Sequence, residues 1–134
     1  MVDNKYPETP AKPSAVYASY SAYLDEVCDP KSVRGYVYFI GPVGGPIKIG
    51  FTTYVEDRLR SLQTGSHLDL VLWASIEGTL RIEAEYHENL KNDRIRGEWF
   101  APSDSVILAI KSARTLTDQR RKWPDLSLLK PSGS

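Results

Sequence analysis

The chain has 134 residues, of which 41% are hydrophobic and 25% charged, ordinary values for one soluble globular domain with its own core. Basic and acidic residues number 17 each, which excludes a uniformly basic nucleic-acid-binding surface and leaves only a compact site with a few focused cations. The single cysteine, Cys28, excludes an intrachain disulfide, and the lack of a long apolar run or signal-peptide core predicts a cytoplasmic protein without a membrane partner.

Residues 1–34 are predicted to form an N-terminal extension. Residues 1–15 are polar and contain three prolines, a composition typical of disorder. Apolar side chains at helical spacing in residues 16–27 predict one short helix. We therefore place the folded domain at residues 35–116, followed by a basic and then polar tail over residues 117–134.

The first half of the domain predicts a β-hairpin, a helix and a third strand. Residues 35–52 read GYVYFIGPVGGPIKIGFT, with β-forming residues at both ends and glycine and proline between them. A helix capped by Thr52 or Thr53 is expected to follow and to run to about Gln63. The next strand is predicted over residues 68–78, in an antiparallel or mixed arrangement.

The second half adds two more helices. The pattern predicts one over residues 79–91 and another, capped by Ser103 or Asp104, near the end of the domain. Between them, NDRIRG reads as a basic loop and EWFAP as a short extended piece. The resulting order, β–β–α–β–α–(β)–α, predicts an α+β fold, an α/β sandwich with a small three-stranded antiparallel sheet flanked by helices.

A lysine inside the second strand of the hairpin indicates a site. Because side chains alternate across a strand, one face of the hairpin is expected to be buried. The four residues on that face are Val37, Phe39, Ile47 and Ile49. Tyr38 and Lys48 then share the opposite face with Gly50, where a phosphate is expected to approach the bare backbone. A solvated outer strand face explains the same pattern, and the pattern alone favours it.

Together, these segments resemble the GIY-YIG nuclease superfamily. GYVYFI, IKIG, Arg58, Glu83 and GEWF follow the order and spacing of its motifs over about residues 35–112. With KIG as the second motif, the chain is most similar to a phage-type branch described as DNA-binding domains. The resemblance implies a GIY-YIG endonuclease-like fold and metal-dependent cleavage of DNA.

The resemblance also implies roles for five residues in catalysis. Tyr38 is implied as the general base or a proton relay, Arg58 as the clamp on the scissile phosphate, and Glu83 as the ligand of one Mg²⁺ or Mn²⁺ ion. His87, one turn after Glu83, is implied to relay a proton or bind phosphate. Lys48 replaces the second tyrosine of the family, and we expect it to hold phosphate and to lower the pKa of Tyr38.

Other residues are assigned to substrate binding or to support. The substrate-binding candidates are Gly50, Arg60, Lys91, Arg94 and Arg96. Three basic residues of the tail extend this set, namely Arg120, Arg121 and Lys122. Contacts of this kind with a DNA backbone are salt-sensitive, and a solvated charge cluster is the alternative. Glu98 is expected to support the metal or to orient Arg58, and Glu85 is the fallback metal ligand.

Three functions remain open from the sequence. The first is a metal-dependent endonuclease that hydrolyses DNA phosphodiester bonds, acting as a monomer or homodimer. The alternative is a non-catalytic nucleic-acid-binding module on the same scaffold, with Arg58, Lys48 and the basic loop as phosphate contacts. The third is a protein-interaction domain with Trp73, Trp99 and Trp123 as anchors.

Overall fold

The described part of the chain, residues 33–117 and 121–129 of a computed structural model, is built on an antiparallel β-sheet. Its strands are β1 (Gly35–Pro42), β2 (Ile47–Thr52), β3 (Leu70–Gly78), β4 (Arg94–Arg96) and β5 (Trp99–Phe100). Its α-helices are α1 (Val55–Thr64), α2 (Leu80–Asn89) and α3 (Asp104–Thr115). The helix predicted over residues 16–27 and the basic residue Arg120 lie outside the described residues.

The predicted hairpin forms, with β1 and β2 paired antiparallel. Tyr38 lies opposite Gly50, and Phe39 lies opposite Ile49. All four residues expected on the buried face have no exposed surface, namely Val37, Phe39, Ile47 and Ile49. The alternation of side chains therefore identified the core face of the hairpin.

The prediction of a three-stranded sheet flanked by helices is wrong. The sheet has five strands in the order β3-β1-β2-β5-β4, accompanied by three α-helices in the described residues. The segment read as a basic loop forms β4, and GEWF supplies the turn at Gly97 (φ +56°) and β5. Strands of three and two residues are too short to show a period of two. Pairing stabilises them instead, since β5 pairs with β2 and β4 pairs with β5.

The helices divide between the two faces of the sheet. Helices α2 and α3 pack on the core face, where Leu90, just after α2, and Ile110 of α3 are buried. Helix α1 lies on the opposite face, since Arg58 reaches the Tyr38 hydroxyl there. No helix in the described residues is long and apolar enough to cross a bilayer.

The residues that cap the helices agree only in part with those predicted from the sequence. Ser103 caps α3, its hydroxyl accepting a hydrogen bond from the Val106 backbone N–H at 3.1 Å, as expected. The predicted threonine cap of α1 is wrong, because the N-cap is Tyr54 and it makes no side-chain capping bond. Thr52 instead ends β2 and accepts a hydrogen bond from the Tyr54 N–H at 3.2 Å.

Candidate functional site

Tyr38 of β1 and Arg58 of α1 form a contact on the sheet face opposite the core. The Tyr38 hydroxyl accepts a hydrogen bond from Nη1 of Arg58 at 3.3 Å, and the guanidinium carbon lies 5.9 Å from the ring centroid. Tyr38 has no exposed surface, while Arg58 is half-buried. Because a guanidinium has five N–H donors, this single bond orients Arg58 and uses one of them.

The environment of Tyr38 keeps its phenol protonated. Burial raises the pKa of Tyr38, the hydrogen bond and charge of Arg58 oppose the rise, and Glu98 and Glu83 add to it. The net shift is therefore opposite to the lowering expected from a neighbouring Lys48. The cation beside the phenol is Arg58, and its effect is smaller than that of burial.

Lys48 of β2 forms an ion pair with a residue of the β4–β5 hairpin. Its Nζ lies 3.2 Å from Oε1 of Glu98, and 5.4 Å from the ring centroid of Trp99. Trp99 is half-buried and is the cross-strand partner of Lys48, which explains the contact. Phe100, the next residue, is fully buried, as expected for a core residue.

Glu83 lies in the first turn of α2 and belongs to a carboxyl pair with Glu98. The side chain of Glu83 is only 11% exposed. Burial raises its pKa, the charge of Glu98 and a hydrogen bond with the Glu98 side chain raise it further, and His87 and Lys48 oppose the rise. A hydrogen bond between two carboxyl groups requires a proton on one of them, so the pair holds a proton more strongly than an isolated glutamate does.

His87 connects α2 to the backbone of β2. Its Nε2 lies 2.8 Å from the carbonyl oxygen of Ile49 and 3.6 Å from Oε2 of Glu83. Because a carbonyl only accepts hydrogen bonds, Nε2 carries a proton in this contact. In the neutral ring, Nδ1 of His87 is then the nitrogen with a free lone pair.

Gly50 lies where these groups meet, and its missing side chain makes room for protein atoms. A Cβ there would lie 2.5 Å from Cζ of Tyr38, closer still to the Tyr38 hydroxyl, and 3.1 Å from Oε1 of Glu98. The expectation that a phosphate approaches the backbone at Gly50 is therefore wrong. The Tyr38 phenol already fills this space, and it could not do so over a larger residue.

We expect Gly50→Ala to destabilise the protein by about 1–3 kcal/mol, because the new methyl group overpacks the Tyr38 ring. Urea denaturation measures the change in the free energy of unfolding. The control is Gly65→Ala, since Gly65 has a negative φ of −90° and the nearest atom to its Cβ position is 3.9 Å away. Equal stability of the two variants would contradict the packing described at Gly50.

The remaining substrate-binding candidates differ in whether they lie near Glu83 and Glu98. Lys91 and Arg94 line a groove of about 590 Å³ together with Glu83, His87 and Glu98, although Lys91 also pairs with Glu88 at 2.9 Å. Arg96 lies exposed on β4, next to this groove in sequence. Arg60 is exposed on α1 and pairs with Asp57 at 2.8 Å. In the described residues, no contact joins Arg60 to Tyr38, Glu83 or Glu98.

The structure thus gathers six side chains into one cluster, hereafter the Gly50 cluster. Its members are Tyr38, Lys48, Arg58, Glu83, His87 and Glu98. The sequence assigned Glu98 only a supporting role, but Glu98 joins the two halves of the cluster. The antiparallel pairing that brings Trp99 opposite Lys48 also brings Glu98 to this point, and no local pattern indicates that pairing.

The chemistry of the donors fits one divalent cation. Carboxylate oxygens are the ligands that Mg²⁺ and Mn²⁺ prefer, and Glu83 and Glu98 bring two carboxyl groups together. No group of three or more His, Cys, Asp or Glu residues in the described part of the chain is placed to hold a metal. An ion on this pair would therefore take its other ligands from water and phosphate oxygens, as Mg²⁺ commonly does.

The raised pKa of Glu83 predicts a pH-dependent stability. Because the folded state holds this proton above the usual glutamate value of 4.5, the free energy of unfolding should fall as the pH rises from 4.5 through the folded-state pKa. Urea denaturation at pH values across this range should show that Glu83→Gln becomes progressively more stable than the unmodified protein. A stability difference that does not change with pH would contradict the raised pKa of the buried Glu83.

Comparison with known families assigns the domain. The family model of the T5orf172 domain matches residues 35–118. No curated protein and no solved structure matches the chain. The matched family is a different one from the GIY-YIG superfamily, so the resemblance drawn from the motifs is wrong. Short motifs such as GYVYFI and IKIG describe a buried hairpin strand, a local feature that does not by itself distinguish families.

Proposed function

The chain belongs to the T5orf172 domain family, a phage-associated nuclease-like or DNA-binding domain, and on this premise we propose that it is a metal-dependent endonuclease. Its reaction is hydrolysis of a DNA phosphodiester bond. The observation that carries the proposal is the Gly50 cluster, in which two cationic side chains lie beside the carboxyl pair of buried Glu83 and partly exposed Glu98. Phosphodiester hydrolysis needs both, because anionic oxygens must be neutralised and a metal must be held.

Arg58 binds the scissile phosphate in this proposal. Its planar guanidinium offers a fork of donors to phosphate oxygens and stabilises the charge that develops in the transition state. Tyr38 is a positioning residue, because its buried phenol accepts one hydrogen bond from Arg58 and thereby sets the orientation of the fork. Lys48 adds a second positive charge. Its attraction for the phosphate is weaker while Glu98 remains paired with it.

Glu83 and Glu98 would hold one Mg²⁺ or Mn²⁺ ion. Such an ion would supply polarisation of a phosphoryl oxygen and stabilisation of the leaving oxygen. Both carboxyl groups must lose their shared proton to serve as ligands, so cleavage should require a pH above the raised pKa of Glu83. His87 is the proposed proton acceptor for the attacking water, since Nδ1 of the neutral ring is its free acceptor.

The test is conversion of supercoiled plasmid to nicked or linear DNA with Mg²⁺ or Mn²⁺, and its suppression by EDTA. Arg58→Ala and Glu83→Ala, purified in parallel, report contaminating nucleases. We expect cleavage by the unmodified protein alone. Cleavage that is equal in all three preparations, or absent with both metals, would overturn the proposal.

A non-cleaving DNA-binding module is the second candidate function. The ion pair between Lys48 and Glu98 favours it, because this contact engages a phosphate-binding cation and a metal-binding carboxylate with each other. Metal-independent binding of DNA by the folded protein, without nicking under either metal, would support this second function.

A further inference from the structure

A second surface lies on the same face of the sheet as Tyr38. A groove of about 540 Å³ lies where β1 and β3 meet the segment from Arg121 to Trp123, and Arg34 and Tyr36 also line it. A neighbouring cavity of about 280 Å³ shares Tyr36 and Arg121 and continues to Tyr54. We call the two together the aromatic groove, defined by Arg34, Tyr36, Tyr54, Arg121 and Trp123.

The aromatic residues of the groove suit stacking on nucleobases. Tyr54 is 70% exposed at the N-cap of α1, an unusual exposure for a large aromatic side chain. Tyr36 and Trp123 are half-buried, and guanidinium groups lie over the Trp123 ring, so a base that stacks on Trp123 has to share it with an arginine. Every base has a planar face, so aromatic side chains beside cations bind single strands with little regard to sequence.

The cations of the groove provide charge for a nucleic-acid backbone. The guanidinium carbon of Arg121 lies 4.4 Å from the Trp123 ring centroid, and Arg114 lies 5.5 Å from the same centroid. Arg34 is exposed at the other end, and neither Arg34 nor Arg121 has an ion-pair partner in the described residues. Two carboxylates, Glu56 and Glu77, also line the groove, and such groups accept hydrogen bonds from base amino groups.

The groove and the Gly50 cluster lie on the same face of β1. Tyr36 and Tyr38 point to the same face of β1 and lie about 7 Å apart along the strand. This span is about twice the 3.4 Å rise of stacked bases, so one or two nucleotides cover it. The Arg58 backbone N–H also donates to the Tyr54 carbonyl at 3.1 Å, so the backbone of Tyr54 is fixed to the helical turn that carries Arg58.

We propose that the aromatic groove binds one or two unstacked nucleotides that flank the phosphate on Arg58. The substrate is then DNA with a single-stranded segment, because bases inside a duplex already stack on both faces and are not free to stack on Tyr54 or Trp123. This inference rests on the proposed function for the position of the phosphate. The stacking itself requires no cleavage, so the two proposals can fail separately.

Binding of a fluorescein-labelled oligo-deoxythymidine and of a blunt duplex, followed by anisotropy at low salt in EDTA, tests the proposal. We expect Tyr54→Leu and Trp123→Leu to weaken single-strand binding about five- to a hundredfold, the range for loss of one stacked base. Duplex binding should change little. The control is Leu108→Ala, because Leu108 is 63% exposed on α3 and does not line the groove.

Photocrosslinking adds a second measurement should Trp123→Leu fail to fold. A single strand containing 5-iodouracil should crosslink to a peptide that contains Tyr36, Tyr54 or Trp123. Crosslinks only to peptides outside the groove would overturn the proposal, as would unchanged single-strand binding by folded Tyr54→Leu. If the groove variants lose binding but the unmodified protein never cleaves plasmid, the groove stands and the endonuclease proposal falls.

Discussion

Glu83→Gln is expected to lower metal-dependent cleavage by on the order of 10²–10³-fold while leaving DNA binding in EDTA almost unchanged. Glutamine has nearly the shape of glutamate, so the packing of this buried side chain is kept while the charge that holds the metal is lost. Initial rates of plasmid nicking and anisotropy with labelled DNA measure the two quantities.

The control for this prediction is Glu85→Gln. Glu85 lies two residues later on α2 and is exposed, so the change removes the same charge from a different face of the helix. We expect cleavage within a few-fold of the unmodified protein. Full activity of Glu83→Gln, with loss of activity in Glu85→Gln, would assign the metal to Glu85 and contradict the role of the Glu83–Glu98 pair.

Arg58→Lys is expected to lower kcat by on the order of 10²–10³-fold, although the positive charge is kept. Lysine has a point charge instead of a planar fork, so it loses the two-point contact with phosphate oxygens and the oriented bond to the Tyr38 hydroxyl. Steady-state kinetics on an oligonucleotide substrate should show a larger change in kcat than in KM. A change confined to KM would indicate simple attraction between charges.

Two variants test whether orientation is the reason. Arg60→Lys makes the same change on an exposed arginine that pairs with Asp57, and it should leave kcat unaltered. Tyr38→Phe keeps the ring over Gly50 and removes only the acceptor for Arg58, so kcat should fall while the pH profile keeps its shape. A shifted pH profile in Tyr38→Phe would instead identify the phenol as a proton-transfer group.

Several parts of this protein follow from the sequence because they depend on near neighbours. The alternation in YVYFI and IKI identified the core face of the hairpin, and Ser103 marked the start of α3. The choice of Arg58 and Glu83 as site residues came from a family resemblance that the comparison corrected, although both lie in one cluster with Tyr38, which the strand pattern had indicated. A local pattern indicates which face of a strand or helix packs on the core. That indication does not depend on the family assignment, so it holds even when the family is wrong.

The tertiary structure alone decided the chemistry of the site. Pairing of β5 with β2 placed Glu98 between Lys48 and Glu83, and burial raised the pKa of the Tyr38 phenol, whereas a neighbouring cation was expected to lower it. The aromatic groove likewise brings together Tyr36 and Trp123, which most of the domain sequence separates. Burial, charge pairing and pKa depend on contacts between residues far apart in the chain, and the periodicity of one segment contains no information about them.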